Sequence, residues 1–87
     1  MRIAEAVDGY LDHLERERGY SANTVRGYRG DLRSLTEHCE GAGLEDAAGL
    51  DIDVLRDWLY ASAEAGMGKS TIARRSAAAR GLSRWIA

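Results

Sequence analysis

The sequence predicts an all-α domain, a compact four-helix bundle. Proline is absent, apolar residues recur at three- to four-residue spacing through most of the chain, and no segment alternates apolar and polar residues as a strand would. With 87 residues the chain can bury one hydrophobic core but not two. We therefore expect residues 1–87 to form a single domain.

The first two helices are predicted in the first half of the chain. Helix 1 is expected from about Ile3 to Arg18, with Gly19 as its C-cap. Ser21 is the expected N-cap of helix 2. The inward face of helix 1 is Ile3, Val7, Tyr10, Leu11 and Leu14, and that of helix 2 is Val25, Tyr28, Leu32, Leu35 and Cys39.

The other two helices follow a glycine-bearing stretch. Asp51 is the expected N-cap of helix 3, and Ser70 that of helix 4. The inward face of helix 3 is Val54, Leu55, Trp58, Leu59 and Ser62, and that of helix 4 is Ile72, Ala79, Leu82 and Ile86. Helix 4 is still in a helical pattern at residue 87, so we expect the parent protein to continue beyond it.

Charge is distributed unevenly along the chain. Residues 40–66 contain seven acidic residues and one basic residue, whereas residues 67–87 contain five basic residues and no acidic one. The overall net charge of −2 hides this asymmetry. The single cysteine and the lack of a long apolar run favour a cytoplasmic protein with no membrane segment.

The stretch GMGKST, residues 66–71, resembles the end of a nucleotide-binding P-loop. A P-loop requires an earlier glycine where this chain has Ala63, and it follows a buried strand rather than an amphipathic helix. The motif therefore predicts a helix-to-helix turn. Lys69 and the amides that open the next helix would suit an anion such as a nucleic-acid phosphate.

The sequence contains no recognisable pattern of metal ligands or catalytic residues. His13, His38 and Cys39 are too few and too irregularly spaced for a zinc site. Asp51 and Asp53 lack the glycine and the terminal glutamate of a calcium loop. No catalytic residue, metal ligand or cofactor is predicted in this segment.

The outer faces of helices 2 and 4 combine small residues with arginines. Their members are Asn23, Arg26, Gly27, Gly30, Arg33 and Ser34 in helix 2, and Thr71, Arg74, Arg75, Ala77, Ala78, Gly81 and Arg84 in helix 4. Small residues would allow a DNA backbone to approach while guanidinium groups reach phosphates or guanine edges. The alternative is a helical protein-interaction module that uses exposed Trp58, Tyr60 or Trp85.

Two segments also resemble a known family. GYSANTVRGYRGDLRSL, residues 19–35, and STIARRSAAARGLSRWI, residues 70–86, are similar to the second- and fourth-helix signatures of the SAM-like core-binding domain of tyrosine recombinases, the phage-integrase family. The matching residues are Ser21, Asn23, Thr24, Tyr28, Asp31 and Leu32, then Thr71, Ile72, Arg74, Arg75, Ala78, Arg80 and Trp85. Within the family the chain is most similar to the bacterial XerC/XerD type. Ser76, Ala79 and Leu82 depart from the family pattern and predict a thin core between helices 2 and 4.

The resemblance implies a parent enzyme that cuts and rejoins DNA at specific sites. Its catalytic domain is expected after residue 87, so none of the tyrosines of this segment is expected to be the nucleophile. The implied partners are a double-stranded DNA recombination site, a second Xer-type protomer in a synaptic tetramer and a DNA translocase. Chromosome dimer resolution at the nucleoid is the implied role, and a phage integrase is the alternative within the family.

The predicted DNA-binding set combines the outward residues with the resemblance. It places helices 2 and 4 toward the major groove of the duplex, and the acidic helix 3 region away from it. The set is Asn23, Thr24, Arg26, Arg33, Lys69, Ser70, Thr71, Arg74, Arg75, Arg80 and Arg84.

Overall fold

Four α-helices make up the fold. The computed structural model describes all 87 residues, with α1 at Ile3–Arg16, α2 at Ala22–Gly41, α3 at Ile52–Glu64 and α4 at Lys69–Ile86. One turn of 3-10 helix, Ala47–Gly49, lies between α2 and α3. The only β-type pairing is an isolated bridge between Arg2 and Asp46. The prediction of an all-α, four-helix fold is confirmed.

Two of the three predicted N-caps are confirmed. The Ser21 hydroxyl accepts a hydrogen bond from the Thr24 amide at 3.2 Å, and the Asp51 carboxylate accepts one from the Val54 amide at 3.0 Å. The prediction of Ser70 as a cap is wrong. Gly68 is the N-cap and α4 already begins at Lys69, which places Ser70 in the first turn.

The end of α1 comes two residues earlier than the pattern predicts. The helix ends at Arg16, and the amides of Glu17 and Arg18 both donate to the His13 carbonyl, at 2.9 and 3.1 Å. Gly19 then adopts a φ of +66°, which side chains rarely tolerate. The glycine makes the predicted turn, but it does so after an irregular link rather than directly at the helix end.

The core is supplied unequally by the four helices. Six of its 16 buried apolar residues come from α1: Ile3, Ala6, Val7, Tyr10, Leu11 and Leu14. Trp58 of α3 is the largest side chain that is fully buried. α4 contributes only Ala78, Ala79 and Leu82, while Ile72 and Ile86 remain half-buried. The prediction of a thin α2–α4 core agrees with these small side chains.

None of the helices combines the length and the hydropathy that crossing a bilayer requires. Apart from the amino-terminal Met1, the larger exposed apolar side chains are Ile52, Tyr60 and Met67, which lie in α3 and in the turn before α4. The two buried polar residues, Asp31 and Ser62, both accept hydrogen bonds from Arg75 of α4.

Candidate functional site

The face of α4 that was predicted to point outward is partly turned toward the core. Ala78 is completely buried, and Gly81 lies directly against the hydroxyl group of Tyr10. Thr71 is half-buried, and the Arg75 side chain is only 12% exposed. The predicted outward orientation of Arg75 is wrong, because this side chain is enclosed between α2 and α3.

A buried carboxylate of α2 binds the face of α4 that is turned toward the core. Asp31 is 1% exposed and lies opposite the two arginines of α4. Its carboxylate accepts two hydrogen bonds from Arg74, from Nε at 2.6 Å and from Nη2 at 3.0 Å. The Nε of Arg75 donates a third at 3.3 Å. Hydrogen bonding to Asp31 raises the pKa of the Arg74 guanidinium above its ordinary value.

Arg75 is held from several sides. Its Nη1 donates to the hydroxyl of Ser34 at 3.2 Å and to that of Ser62 at 2.8 Å. The guanidinium also lies over the Trp58 ring, 5.4 Å from the ring centre, and the Trp58 indole donates to Ser34 at 3.1 Å. We call Asp31, Ser34, Trp58, Ser62, Arg74 and Arg75 the Asp31 cluster. No buried side-chain nitrogen or oxygen lacks a hydrogen-bond partner.

Pattern reading did not assign a role in packing to Asp31. The residue falls within the apolar face of α2, between Tyr28 and Leu32, where a charged side chain has no solvent. An acid in an apolar stripe requires a buried partner. α4 contains no acidic residue and has two adjacent arginines. The sequence therefore offered Arg74 and Arg75 as candidate partners for the Asp31 carboxylate.

The Arg74 side chain differs from Arg75 in its exposure. It is 47% exposed although it is bound at two points by Asp31. Its guanidinium runs along α2 at Gly27, where an added Cβ would lie 3.5 Å from Nε. The Arg74 Nη1 has no hydrogen-bond partner within the chain. Arg74 therefore presents a free edge at the surface between α2 and α4.

The amino-terminal half of α2 has a strongly basic exposed face. Arg26, Arg29 and Arg33 are exposed, and none has a carboxylate within 4.0 Å. The only acid among residues 22–36 is the buried Asp31. Arg26 donates to the Asn23 side chain at 3.2 Å. Arg29 was not in the predicted set, although it lies one turn from Arg33.

The two glycines in the amino-terminal half of α2 have different surroundings. Gly27 is half-buried beneath Arg74, so a neighbour explains its small size. Gly30 is exposed, and an added Cβ would find no atom within 4 Å. A glycine inside a helix costs about 1 kcal/mol relative to alanine. Nothing within the chain requires glycine at position 30.

The other predicted contact residues lie in two places. Lys69 and Ser70 are exposed in the first turn of α4, and Thr24 is exposed with its hydroxyl bonded to Ser21 at 2.9 Å. Arg80 and Arg84 are exposed on the α3 side of α4, where they line a groove together with Ile52 and Leu55. Arg33, together with Arg29, lines a groove beside Val7 and Asp8 of α1. The predicted residues therefore lie on more than one face of the domain.

The opposite charge is carried by α3 and the segment before it. Asp51, Asp53, Asp57 and Glu64 are all exposed, with Arg56 as the only basic residue of α3. The acidic surface of α3 is therefore separate from the basic amino-terminal half of α2. No group of three or more histidine, cysteine, aspartate or glutamate side chains is placed to hold a metal ion.

Two of the three aromatic residues proposed for a protein-interaction surface are packed inside. Trp58 is 1% exposed within the Asp31 cluster. Trp85 is half-buried, and its ring lies 6.2 Å from that of Tyr10 and 6.4 Å from that of His13. Only Tyr60, at 72%, is largely exposed. This alternative thus lacks the aromatic patch on which it depended.

Comparison with known proteins identifies the family. Residues 7–87 match the family model described as phage integrase, N-terminal SAM-like domain. The chain is 42% identical over 84 residues to the tyrosine recombinase XerC of Mycobacterium sp. strain KMS, covering 95% of this chain and 28% of that protein. It is 38% identical over 92 residues to XerD of Mycobacterium tuberculosis strain CDC 1551, covering 98% of this chain and 30% of that protein.

More distant relatives and solved structures complete the comparison. XerC of Corynebacterium glutamicum is 34% identical over 84 residues, covering 97% of this chain and 26% of that protein. No solved structure gives a significant match. The chain spans less than a third of the length of these curated relatives. It belongs to the family of phage-integrase N-terminal SAM-like domains, of the type found in the XerC/XerD tyrosine recombinases.

Proposed function

We propose that this chain is the DNA-binding domain of a site-specific tyrosine recombinase. The observation that carries the proposal is the exposed face of α2, where Arg26, Arg29 and Arg33 have no carboxylate partner. The only acid in that half of the helix is buried and already shared by two arginines. Unbalanced positive charge on one helix face favours the phosphates of a nucleic acid.

The proposed contact surface extends from α2 to the start of α4. It consists of Asn23, Thr24, Arg26, Arg29, Arg33, Lys69, Ser70, Thr71 and Arg74, with Arg80 and Arg84 as outlying contacts. Arginines position a protein on the duplex through phosphates and read guanine edges in the major groove. The acidic α3 would face away from the duplex, because its carboxylates repel the backbone.

The main test is the salt dependence of duplex binding. The Arg26→Ala/Arg33→Ala double variant removes two exposed cations without disturbing a buried contact. We expect weaker binding and a loss of about 1.8 from the slope of log K against log salt, since each lost phosphate contact removes about 0.9. Fluorescence anisotropy with a labelled duplex measures both quantities.

Arg56→Ala is the matched control for that experiment. Arg56 is an exposed arginine on the acidic helix α3, so its loss removes one positive charge from outside the proposed surface. We expect an unchanged slope. Equal effects of the α2 and α3 variants would contradict the proposed surface, and a wild-type domain without affinity for duplex DNA at low salt would contradict the proposed function.

Gly30 tests how closely DNA approaches α2. Gly30→Ala meets no atom of the chain, so we expect it to stabilise the helix by up to about 1 kcal/mol. Binding should nevertheless weaken if a duplex lies against this position. Gly41→Ala is the matched control, because Gly41 is also helical and open but lies at the acidic end of α2. Unaltered binding by Gly30→Ala would remove position 30 from the interface.

The role of the parent protein is the finer part of the proposal. The relatives' names support an enzyme that recombines DNA through a catalytic tyrosine. We place the catalytic domain after residue 87, and we expect the parent to act with a second Xer-type protomer in a synaptic tetramer. Chromosome dimer resolution at the nucleoid, with a DNA translocase, is the proposed biological role. Recombination of a plasmid carrying two copies of the target site by the full-length parent tests this.

A further inference from the structure

We infer that Asp31 is a positioning residue, and that it holds Arg74 as a preoriented contact for a backbone phosphate while Arg75 takes no part in binding. This inference rests on the proposed DNA-binding function and specifies which arginine of α4 carries it. It divides two adjacent arginines into one structural residue and one contact residue.

The charges of the Asp31 cluster do not balance. One carboxylate faces two guanidinium groups, so the cluster keeps one positive charge in excess. Arg75 is 12% exposed, and its Nε and Nη1 are directed to Asp31, Ser34 and Ser62, which leaves only Nη2 without a partner. The excess charge is therefore presented to an external anion chiefly by Arg74, whose side chain is 47% exposed against 12% for Arg75.

The geometry of Arg74 is determined before any ligand arrives. Nε and Nη2 are bound to the two carboxylate oxygens of Asp31, at 2.6 and 3.0 Å. This bidentate arrangement fixes the plane of the guanidinium and leaves Nη1 free at the surface. An arginine fixed in this way loses less side-chain entropy on binding than a freely rotating one. Nη1 can donate to an oxygen of a phosphodiester, and such a contact does not depend on the base sequence.

The deciding experiment separates charge from orientation. Asp31→Asn makes the domain more positive by one unit, so simple electrostatics predicts tighter DNA binding. If Asp31 positions Arg74, binding weakens instead, by roughly fivefold, about the worth of one hydrogen bond. Affinity is measured by anisotropy at a temperature where near-ultraviolet circular dichroism shows wild type and variant to be fully folded.

A second variant keeps the test valid if Asp31→Asn fails to fold. Arg74→Lys retains the charge at a half-exposed position but loses the bidentate pairing. We expect a similar, roughly fivefold loss of affinity with a nearly unchanged salt slope, whereas Arg74→Ala lowers the slope by about 0.9. Arg56→Lys on α3 is the matched control and should bind as wild type does.

Nuclear magnetic resonance provides a readout that a purely structural role would not change. On titration with a short duplex, the Nε–H signal of Arg74 should shift, while that of Arg75 stays in place as an internal reference. Tighter binding by Asp31→Asn, wild-type affinity of Arg74→Lys, or equal shifts of the two signals would each overturn the inference. Failure of the wild-type domain to bind the duplex would instead overturn the proposed function itself.

Discussion

The packing of α1 and the contact between α2 and α4 are built on opposite principles. α1 places six apolar side chains in the core and fixes its position through burial. The α2–α4 contact combines small residues, such as Ala78, with hydrogen bonds among charged groups. An apolar face tolerates exchange of one hydrophobic side chain for another, whereas a polar cluster depends on each of its partners. We therefore expect the apolar face of α1 to tolerate substitution better than the α2–α4 contact does.

Removing the shared carboxylate should have the largest effect. Asp31→Ala leaves Arg75 buried without a counter-ion, and we expect a loss of about 3–5 kcal/mol in the free energy of unfolding. Arg74 adds little to this loss, because it is half-exposed and water can replace its partner. Urea unfolding followed by circular dichroism measures the change.

Leu11→Ala is the counterpart of that variant on the apolar side. Leu11 is 1% exposed, and its truncation should cost about 2–5 kcal/mol through lost burial and a cavity. Replacing each residue by an apolar one larger than alanine distinguishes the two regions further. Leu11→Met should recover most of the stability, whereas Asp31→Leu should not, since it leaves Arg75 unpaired. Equal tolerance of both replacements would contradict the contrast drawn between the two regions.

The sequence predicts the apolar region far better than the polar one. All five residues assigned to the inward face of α1 are buried, because periodicity reports burial directly when side chains are clearly apolar. Periodicity fails for α4, because alanine and glycine occur on both the buried and the exposed face of a helix and arginine is assigned to solvent by default. The residue that brings Arg75 inward is Asp31, 44 positions earlier. A helical wheel drawn for α4 alone cannot show Asp31, because this residue lies on α2.

Close approach between α1 and α4 should give an intermediate effect. The Cβ of a Gly81→Ala variant would collide with the hydroxyl of the buried Tyr10. Overpacking costs about 1–3 kcal/mol, and the gain in helix propensity offsets roughly 1 kcal/mol of it. Thermal unfolding should show a net loss. The Gly81→Ala/Tyr10→Phe double variant should recover stability beyond additivity, and strictly additive effects would argue against this contact.

Alkaline pH should produce the smallest effect. Burial raises the pKa of the Cys39 thiol, so the folded state favours the neutral form. Its contribution to stability is complete below the ordinary thiol pKa of about 8.5 and is lost as pH rises above it. Between about pH 8 and pH 10 the unfolding free energy should fall more steeply for wild type than for Cys39→Ala. Parallel curves would mean that the thiol ionises equally in the folded and unfolded states.

The sharing of one carboxylate by two arginines has a consequence for how such a sequence can diverge. Replacing Asp31 alone leaves a buried cation without a counter-ion, and replacing Arg75 alone leaves the Ser62 hydroxyl without its donor. Each single step passes through a less stable intermediate, so these positions are coupled in energy. Their substitutions should therefore arise together during descent, while those on the apolar face of α1 accumulate one at a time.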